Sequence, residues 1–275
     1  MQDPKMNDKY KFMFWIAGKY EIKRVCYLKP TARAPYGLQI QSKGNKYLLV
    51  YAQSEIQKFY IDRSIKMQEL FWSDYKDYFE FNFPVSRGDY HGIHYVMYRY
   101  YDHLEQYTDK EGVDILEKIY AANMEELPVC DLLVKSILDK MLMAWPERFH
   151  EKIKKLDSFS NYKKYLMQLK SIRISKEHGD YNSENIVKHN DRLLLMDFEF
   201  AKENQPVGLD RADFLKSISC RLCECGQGGL LKQQLCDDIN NIVDGEKDYL
   251  SIRRMEYRTM KACAMLIKFL QLFKF

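Results

Sequence analysis

Apolar positions along the chain follow two different periods, and the change between them divides it. From Tyr10 to Tyr101 short apolar runs alternate with turn residues, the pattern of strands. Leu38-Gln39-Ile40-Gln41, the turn Ser42-Lys43-Gly44-Asn45 and the run Tyr47-Leu48-Leu49-Val50-Tyr51 predict a β-hairpin. From Ser54 to Phe71, apolar Phe59, Ile65, Met67 and Leu70 are spaced among charges as in a helix. His94 to Tyr101 reads as a further strand, ended by Asp102 and His103.

Beyond that point helical spacing dominates. Pro128, at a first-turn position, opens a helix with Leu133, Val134, Ile137, Leu138, Met141, Leu142 and Trp145 on one face, and Pro146 closes it. A second helix is expected over residues 161–174 and a hairpin over 186–198; residues 210–275 return to helical spacing. No repeat or low-complexity linker interrupts the chain. The pattern predicts an α+β protein, with a small β-rich lobe over 1–101 and a larger helical lobe over 102–275. One strand would join them, beside a cleft.

Composition narrows the class. The chain has 275 residues, 46% hydrophobic and 14% aromatic, enough for a sizeable core and too apolar for disorder. No apolar run exceeds about six residues, against the ~20 that span a bilayer, so no membrane insertion is expected. Met1 to Lys11 is polar, unlike a signal peptide, and seven cysteines form an odd set. Both features favour a cytoplasmic protein with reduced thiols. A net charge of +4 is too small to argue for nucleic acid. It is unevenly spread: residues 1–101 hold 16 Lys+Arg and 10 Asp+Glu, residues 102–275 hold 27 and 29. That distribution suits an anion on the first part and a cationic group on the second.

The chemistry is concentrated in His178-Gly179-Asp180-Tyr181-Asn182-Ser183-Glu184-Asn185, followed by Leu195-Met196-Asp197-Phe198-Glu199. Phosphoryl transfer needs a carboxylate to orient the acceptor hydroxyl and take its proton, and hard oxygen ligands for Mg²⁺. An Asp, four residues and an Asn supply the first and one of the second. An Asp on the returning strand of a hairpin supplies a charged ligand.

These residues resemble the aminoglycoside phosphotransferase and choline kinase group, which has the protein-kinase-like fold. The resemblance is sharp over 178–213 and architectural elsewhere. It implies a bilobal fold, ATP as co-substrate, Mg²⁺, and a small-molecule acceptor such as an amino sugar, sugar, choline-like alcohol or glycan. Asp180 is implied as catalytic base, and Asn185 and Asp197 as metal ligands. His178 is expected to position the loop. Pro206-Val207-Gly208-Leu209-Asp210 matches the segment after the motif, where Asp210 has a supporting role, with Asp213 competing for it. Met97, Tyr98 and Tyr100 lie where the interlobe strand passes the adenine, read through backbone groups.

The departures are equally specific. The strand lysine that binds phosphates in this fold is replaced by Val50, with Lys46, Lys58 and Lys66 as substitutes and Glu55 and Glu69 as candidates for its helix partner. The segment expected to cover the phosphates, Lys29 to Gly37, is not glycine-rich; Arg33 is its candidate phosphate contact. These departures keep a second hypothesis open, a degenerate kinase fold retained for nucleotide binding or scaffolding. A protein kinase is disfavoured by glycine between His178 and Asp180. Cys220, Cys223 and Cys225 read as packed thiols rather than a zinc site, and the apolar run from Met265 to Phe273 as a core helix.

Overall fold

The computed structural model describes residues 4–26, 35–102, 104–105, 109–182, 185–207 and 226–244. The chain forms two compact units. The first comprises Met1–Asp62, Phe83–Asp102 and Glu246–Phe275; the second comprises Arg63–Asn82 and His103–Gly245.

The first unit is built on an antiparallel sheet in the order β1-β2-β3-β6-β5. Its strands are β1 (Glu21–Cys26), β2 (Tyr36–Ser42), β3 (Asn45–Ala52), β5 (Ser86–Tyr90) and β6 (Ile93–Arg99). The predicted hairpin is β2–β3, in register from Tyr36↔Tyr51 to Ser42↔Asn45. Lys43 and Gly44 turn it with φ of 49° and 82°, the doubly left-handed geometry that matches strand twist.

One expectation is overturned at the start of the chain. The stretch from Tyr10 reads as strand, yet Pro4–Lys19 is a helix, α1. Phe12, Met13 and Ile16 are buried while Phe14 is 57% exposed. A strand would put Phe12, Phe14 and Ile16 on one face; a helix groups 12, 13 and 16. The short apolar run Phe12 to Ala17 fits both periods. What selects helix is the sheet face it covers, where Phe12 lies 5.0 Å from the Tyr51 ring and Trp15 stacks on Tyr90 at 4.8 Å.

The helix expected from Ser54 is α2 (Glu55–Tyr75), and its C-terminal half belongs to the second unit. There Met67, Phe71 and Tyr75 join a core with Phe79, Leu116, Ile119, Tyr181, Leu193, Leu195 and Phe198. The second unit carries helices α3 (Asp109–Asn123), α4 (Asp131–Leu142), α5 (His150–Lys154), α6 (Asp157–Gln168) and α7 (Gly226–Asp244). It also holds two small sheets. In one, β10 (Arg192–Leu195) lies between β9 (Ile186–His189), antiparallel, and β4 (Phe79–Phe81), parallel. In the other, β8 (Ser171–Glu177) lies between β7 (Glu125–Pro128) and β11 (Lys202–Pro206).

Two further boundaries differ from expectation. Pro128 ends β7 instead of opening a helix, and α4 begins at Asp131; of the expected apolar face, Val134, Ile137, Leu138, Met141, Leu142 and Trp145 are buried and Leu133 is half-buried, Trp145 lying beyond the helix end at Leu142. The helix expected over 161–174 is α6 followed by β8, because Ile172 and Ile174 are buried and Arg173 exposed, a period of two. Helix α2 holds β8 in place: Tyr75 Oη donates to Lys176 O at 3.2 Å, and Lys176 Nζ meets Leu70 O at 3.1 Å and Asp74 at 2.5 Å.

The helical assignment of α1 has a direct consequence for stability. Ile16→Ala should cost about 2–4 kcal/mol, and Phe14→Ala no more than about 0.5 kcal/mol. Chemical denaturation of both variants checks this; equal losses would restore the strand.

Candidate functional site

Strand β8 delivers His178-Gly179-Asp180 at its C-terminal end, and the β9–β10 hairpin returns Asp197 to the same place. The loop after Asp180 is closed by local amide chemistry. Asn182 Nδ2 donates to Asp180 Oδ1 at 2.7 Å, and Asn185 Nδ2 donates to Asp180 Oδ2 at 2.8 Å and Asp180 O at 2.9 Å. Asn185 N–H donates to Asn182 O at 3.1 Å, a backbone turn, and to Asn182 Oδ1 at 3.3 Å, a side-chain turn of the Asx kind. Tyr181 is buried and its Oη donates to Gly112 O at 3.0 Å, which pins the loop to α3.

The Asn185 amide has only one allowed orientation. Both Asp180 atoms it meets are acceptors, so the NH₂ end must face them. Its Oδ1 then has no hydrogen-bond partner among the described residues. The next link is backbone: Met196 N–H donates to Asn185 O at 2.9 Å. On its other side, Met196 O accepts from His178 Nε2 at 2.9 Å. The two peptide units on either side of Met196 are thus gripped from the two ends of the loop.

Asp197 itself is exposed, with φ 62° and ψ 64°, and its carboxylate does not cap the 3₁₀ turn Phe198–Phe200 that follows. A left-handed aspartate is tolerated, at a cost on the order of 1 kcal/mol that the surroundings must offset. Phe198 supplies an anchor: it is buried against His178 (4.8 Å between rings), Phe71 and Phe81 (both 5.6 Å). With one neighbour in the core, Asp197 is held at the surface, exposed.

His178 is neutral in this setting. Burial pushes its pKa down to about 4 from 6.5, against the opposing pull of the Asp180 carboxylate and the Met196 carbonyl. Its Nε2 carries the proton, since Met196 O can only accept. Gly179 has φ 79°, and a Cβ there would overlap the backbone carbonyl of Phe200. Only glycine serves between His178 and Asp180, because the backbone of Phe200 in the 3₁₀ turn passes directly over it.

A hard cation fits these donors. Asp197 offers a charged oxygen and Asn185 a neutral one, the sparse protein share that Mg²⁺ takes when water and phosphate complete its octahedron. Among the described residues no three His, Cys, Asp or Glu side chains converge as a self-sufficient metal site.

The positions expected to meet a nucleotide lie in the first unit. Met97 O accepts from Val85 N–H at 2.8 Å, and Tyr100 N–H donates to Lys46 O at 3.1 Å, so both groups are engaged within the sheet. Met97 packs with the α1 core, while Tyr98 is paired with Leu48 and shares the other face with Val50. Val50 is buried opposite Val96. Of the substitute lysines, Lys46 Nζ is bound to Asp102 at 2.7 Å and Lys66 is exposed, as are Glu55 and Glu69. Arg33, Asp210, Asp213 and the Cys220–Cys225 group lie outside the described residues.

Sequence reasoning passed over Asn182, whose position two residues after Asp180 is the usual signal for a side-chain turn. It also passed over Arg63 and Lys202, for which no local signal exists.

No protein-family model and no curated protein matches the sequence. Solved structures do match in shape. Aminoglycoside phosphotransferase APH(4)-Ia, as a thermostable mutant in apo form, superposes with a TM-score of 0.53 at 13% identity, over 94% of this chain and 98% of that one. The same enzyme in ternary complex with ADP and hygromycin B gives 0.52 at 11% identity, over 93% and 97%. A protein assigned as a fructosamine-3-kinase from Haemophilus somnus 129PT gives 0.55 at 10% identity, over 92% and 97%. The chain therefore has the α+β protein-kinase-like fold seen in aminoglycoside phosphotransferases.

The buried neutral histidine makes stability depend on pH in a defined direction. Between pH 6.5 and about 4 the unfolded chain takes up a proton at His178 that the folded chain refuses. Stability therefore falls as pH drops through that window, by on the order of 3 kcal/mol from this group. Urea titrations from pH 7 to 4.5 should show a shallower loss for His178→Gln than for the parent; parallel profiles would refute the assignment.

Proposed function

We propose that the protein is an ATP- and Mg²⁺-dependent phosphotransferase that moves the γ-phosphoryl group to a hydroxyl of a small molecule. The observation that carries this reading is the division of labour around Asn185. Its amide NH₂ holds the Asp180 carboxylate, its Oδ1 remains available, and its backbone carbonyl tethers the segment presenting Asp197. A scaffold needs none of these linked features, whereas phosphoryl transfer needs an oriented base and hard oxygen ligands beside it, which they would supply.

In this reading Asp180 orients the acceptor hydroxyl and takes its proton as the new O–P bond forms and the bond from the γ-phosphorus to the bridging oxygen breaks, releasing ADP. Asn182 and Asn185 fix both carboxylate oxygens, so the base is held in one rotamer before the acceptor arrives. Asn185 Oδ1 and Asp197 would hold Mg²⁺, which when bound neutralises charge on the β- and γ-phosphates. Met97, Tyr98 and Tyr100 remain the strand proposed to pass the adenine, and Arg33 and Asp210 keep their proposed contact and supporting roles. The acidic balance of residues 102–275 favours a cationic acceptor, an amino sugar in the first instance.

A second reading is favoured by one observation. Val50 is buried in the sheet where the fold carries a phosphate-binding lysine, and Lys46 is already paired. On that ground the fold could retain nucleotide binding without transfer.

Thermal unfolding with and without Mg·ATP separates the readings. Nucleotide at about a hundred times its dissociation constant should stabilise the protein by about 2.7 kcal/mol. The larger part of the shift should require Mg²⁺, and that part should be lost in Asp197→Ala. Asp180→Ala should keep it and lose transfer to any amino-sugar acceptor by at least about 100-fold. A magnesium-dependent shift with no transfer to any hydroxyl acceptor would favour the binding protein; no shift with ATP or GTP would end both readings.

A further inference from the structure

The segment Asp197–Ala201 is anchored at its start by Met196 and Phe198, but its later carbonyls have no place in a helix or sheet. The 3₁₀ turn makes one internal bond, Ala201 N–H to Phe198 O at 3.1 Å. The carbonyls of residues 199, 200 and 201 then point in succession at cations. Arg63 Nε donates to Glu199 O at 2.8 Å and Arg63 Nη2 to Ala201 O at 2.6 Å. Lys202 Nζ, on a residue only 4% exposed, donates to Phe200 O at 2.8 Å. A third arm of the same guanidinium, Nη1, donates to Met143 O at 3.0 Å, at the C-cap of α4.

A single planar guanidinium is thus shared between two carbonyls of the turn and the negative end of a helix. Such hydrogen bonds to a charged donor are about twice as strong as neutral ones. They are also directional, because the arms are fixed relative to one another. The turn cannot rotate about Phe198 without breaking at least two of them. Asp197 sits immediately before it in a left-handed conformation that its own side chain does nothing to stabilise by capping.

We propose that Arg63 is a positioning residue for the metal-ligand geometry of Asp197. Helix α2 acts on the site through it: the guanidinium fixes the Glu199 and Ala201 carbonyls, these fix the turn, and the turn fixes the direction of the Asp197 carboxylate. Lys202 and Gly179 complete the frame at Phe200, one by capping its carbonyl and the other by leaving space for it. The inference rests on the phosphotransferase reading above, since it assigns a purpose to the orientation of Asp197.

The test is the Mg²⁺ dependence of the nucleotide-induced thermal shift, measured on the full chain with ADP or ATP as probe. Relative to the parent, Arg63→Met should raise the Mg²⁺ concentration giving half the shift by about 10–100-fold, the range for groups that orient a metal ligand. The smaller shift given by nucleotide in EDTA should be unchanged. Arg63→Lys should fall between, because an ammonium reaches one carbonyl and not three. Added guanidinium ion should restore part of the Mg²⁺ affinity to Arg63→Ala. An Arg63→Lys variant that is less stable but has the parent's Mg²⁺ midpoint would overturn the proposal and leave Arg63 a structural residue. If Arg63→Met does not fold, Arg63→Lys decides alone on the same midpoint. A parent protein with no Mg²⁺-dependent shift would instead refute the phosphotransferase reading, an outcome distinct from a parental midpoint in the variants.

Discussion

The backbone of Met196 is the point on which the site's geometry depends. Its N–H is held by Asn185 and its carbonyl by His178, residues at the two ends of the same loop. The two peptide units that flank the Met196 Cα therefore fix where the β10 strand ends relative to the loop that follows β8. Both contacts are short and partly buried, and a buried backbone group without its partner is costly, so neither is readily exchanged for water. The neutral state of His178 belongs to the same constraint. A protonated ring would have to be accommodated in the core beside Phe198 and Tyr181, and burial keeps it deprotonated well below its ordinary pKa.

Around that point the second unit arranges two kinds of support. Aromatic packing fixes position: Phe198 is enclosed by Phe71, Phe81 and His178, and Tyr181 is tied to α3. Polar contacts fix direction: amides of Asn182 and Asn185 orient Asp180, and cations of Arg63 and Lys202 cap the carbonyls after Asp197. Dispersion and burial are not directional, so apolar packing alone would leave the carboxylates free to swing. Hydrogen bonds of fixed geometry remove that freedom at both Asp180 carboxylate oxygens.

The first unit shows the same economy with a different outcome. Its sheet pairs every strand antiparallel, and one face is covered by α1 through Phe12, Met13 and Ile16. Val50 is an ordinary sheet residue there, opposite Val96. Within the second unit, α2 makes its polar connections through Arg63, Leu70, Asp74 and Tyr75, and those of Arg63 are directed at backbone carbonyls.

Much of this was legible in residue order, because it rests on contacts close in sequence. The β2–β3 hairpin follows from alternation and a Lys43-Gly44 turn, the β9–β10 hairpin from its left-handed Asn190 and Asp191, and the loop from an Asp and an Asn five apart. The resemblance carried by His178 to Asp197 was sufficient for the fold. Three local readings failed where a short apolar run fits two periods and a partner decides. Residues 12–17 are helix because a sheet face needs covering. Residues 171–174 are strand because β7 and β11 flank them. Pro128 ends a strand because its carbonyl side still pairs with Ser171. The sequence by itself determined which residues could do chemistry, since acid, amide and glycine types are fixed at their spacing. Only tertiary structure decided their orientation, because the groups that aim them lie far away in the chain: Arg63 reaches a turn 136 to 138 residues distant, and no periodicity or motif encodes a contact at that range.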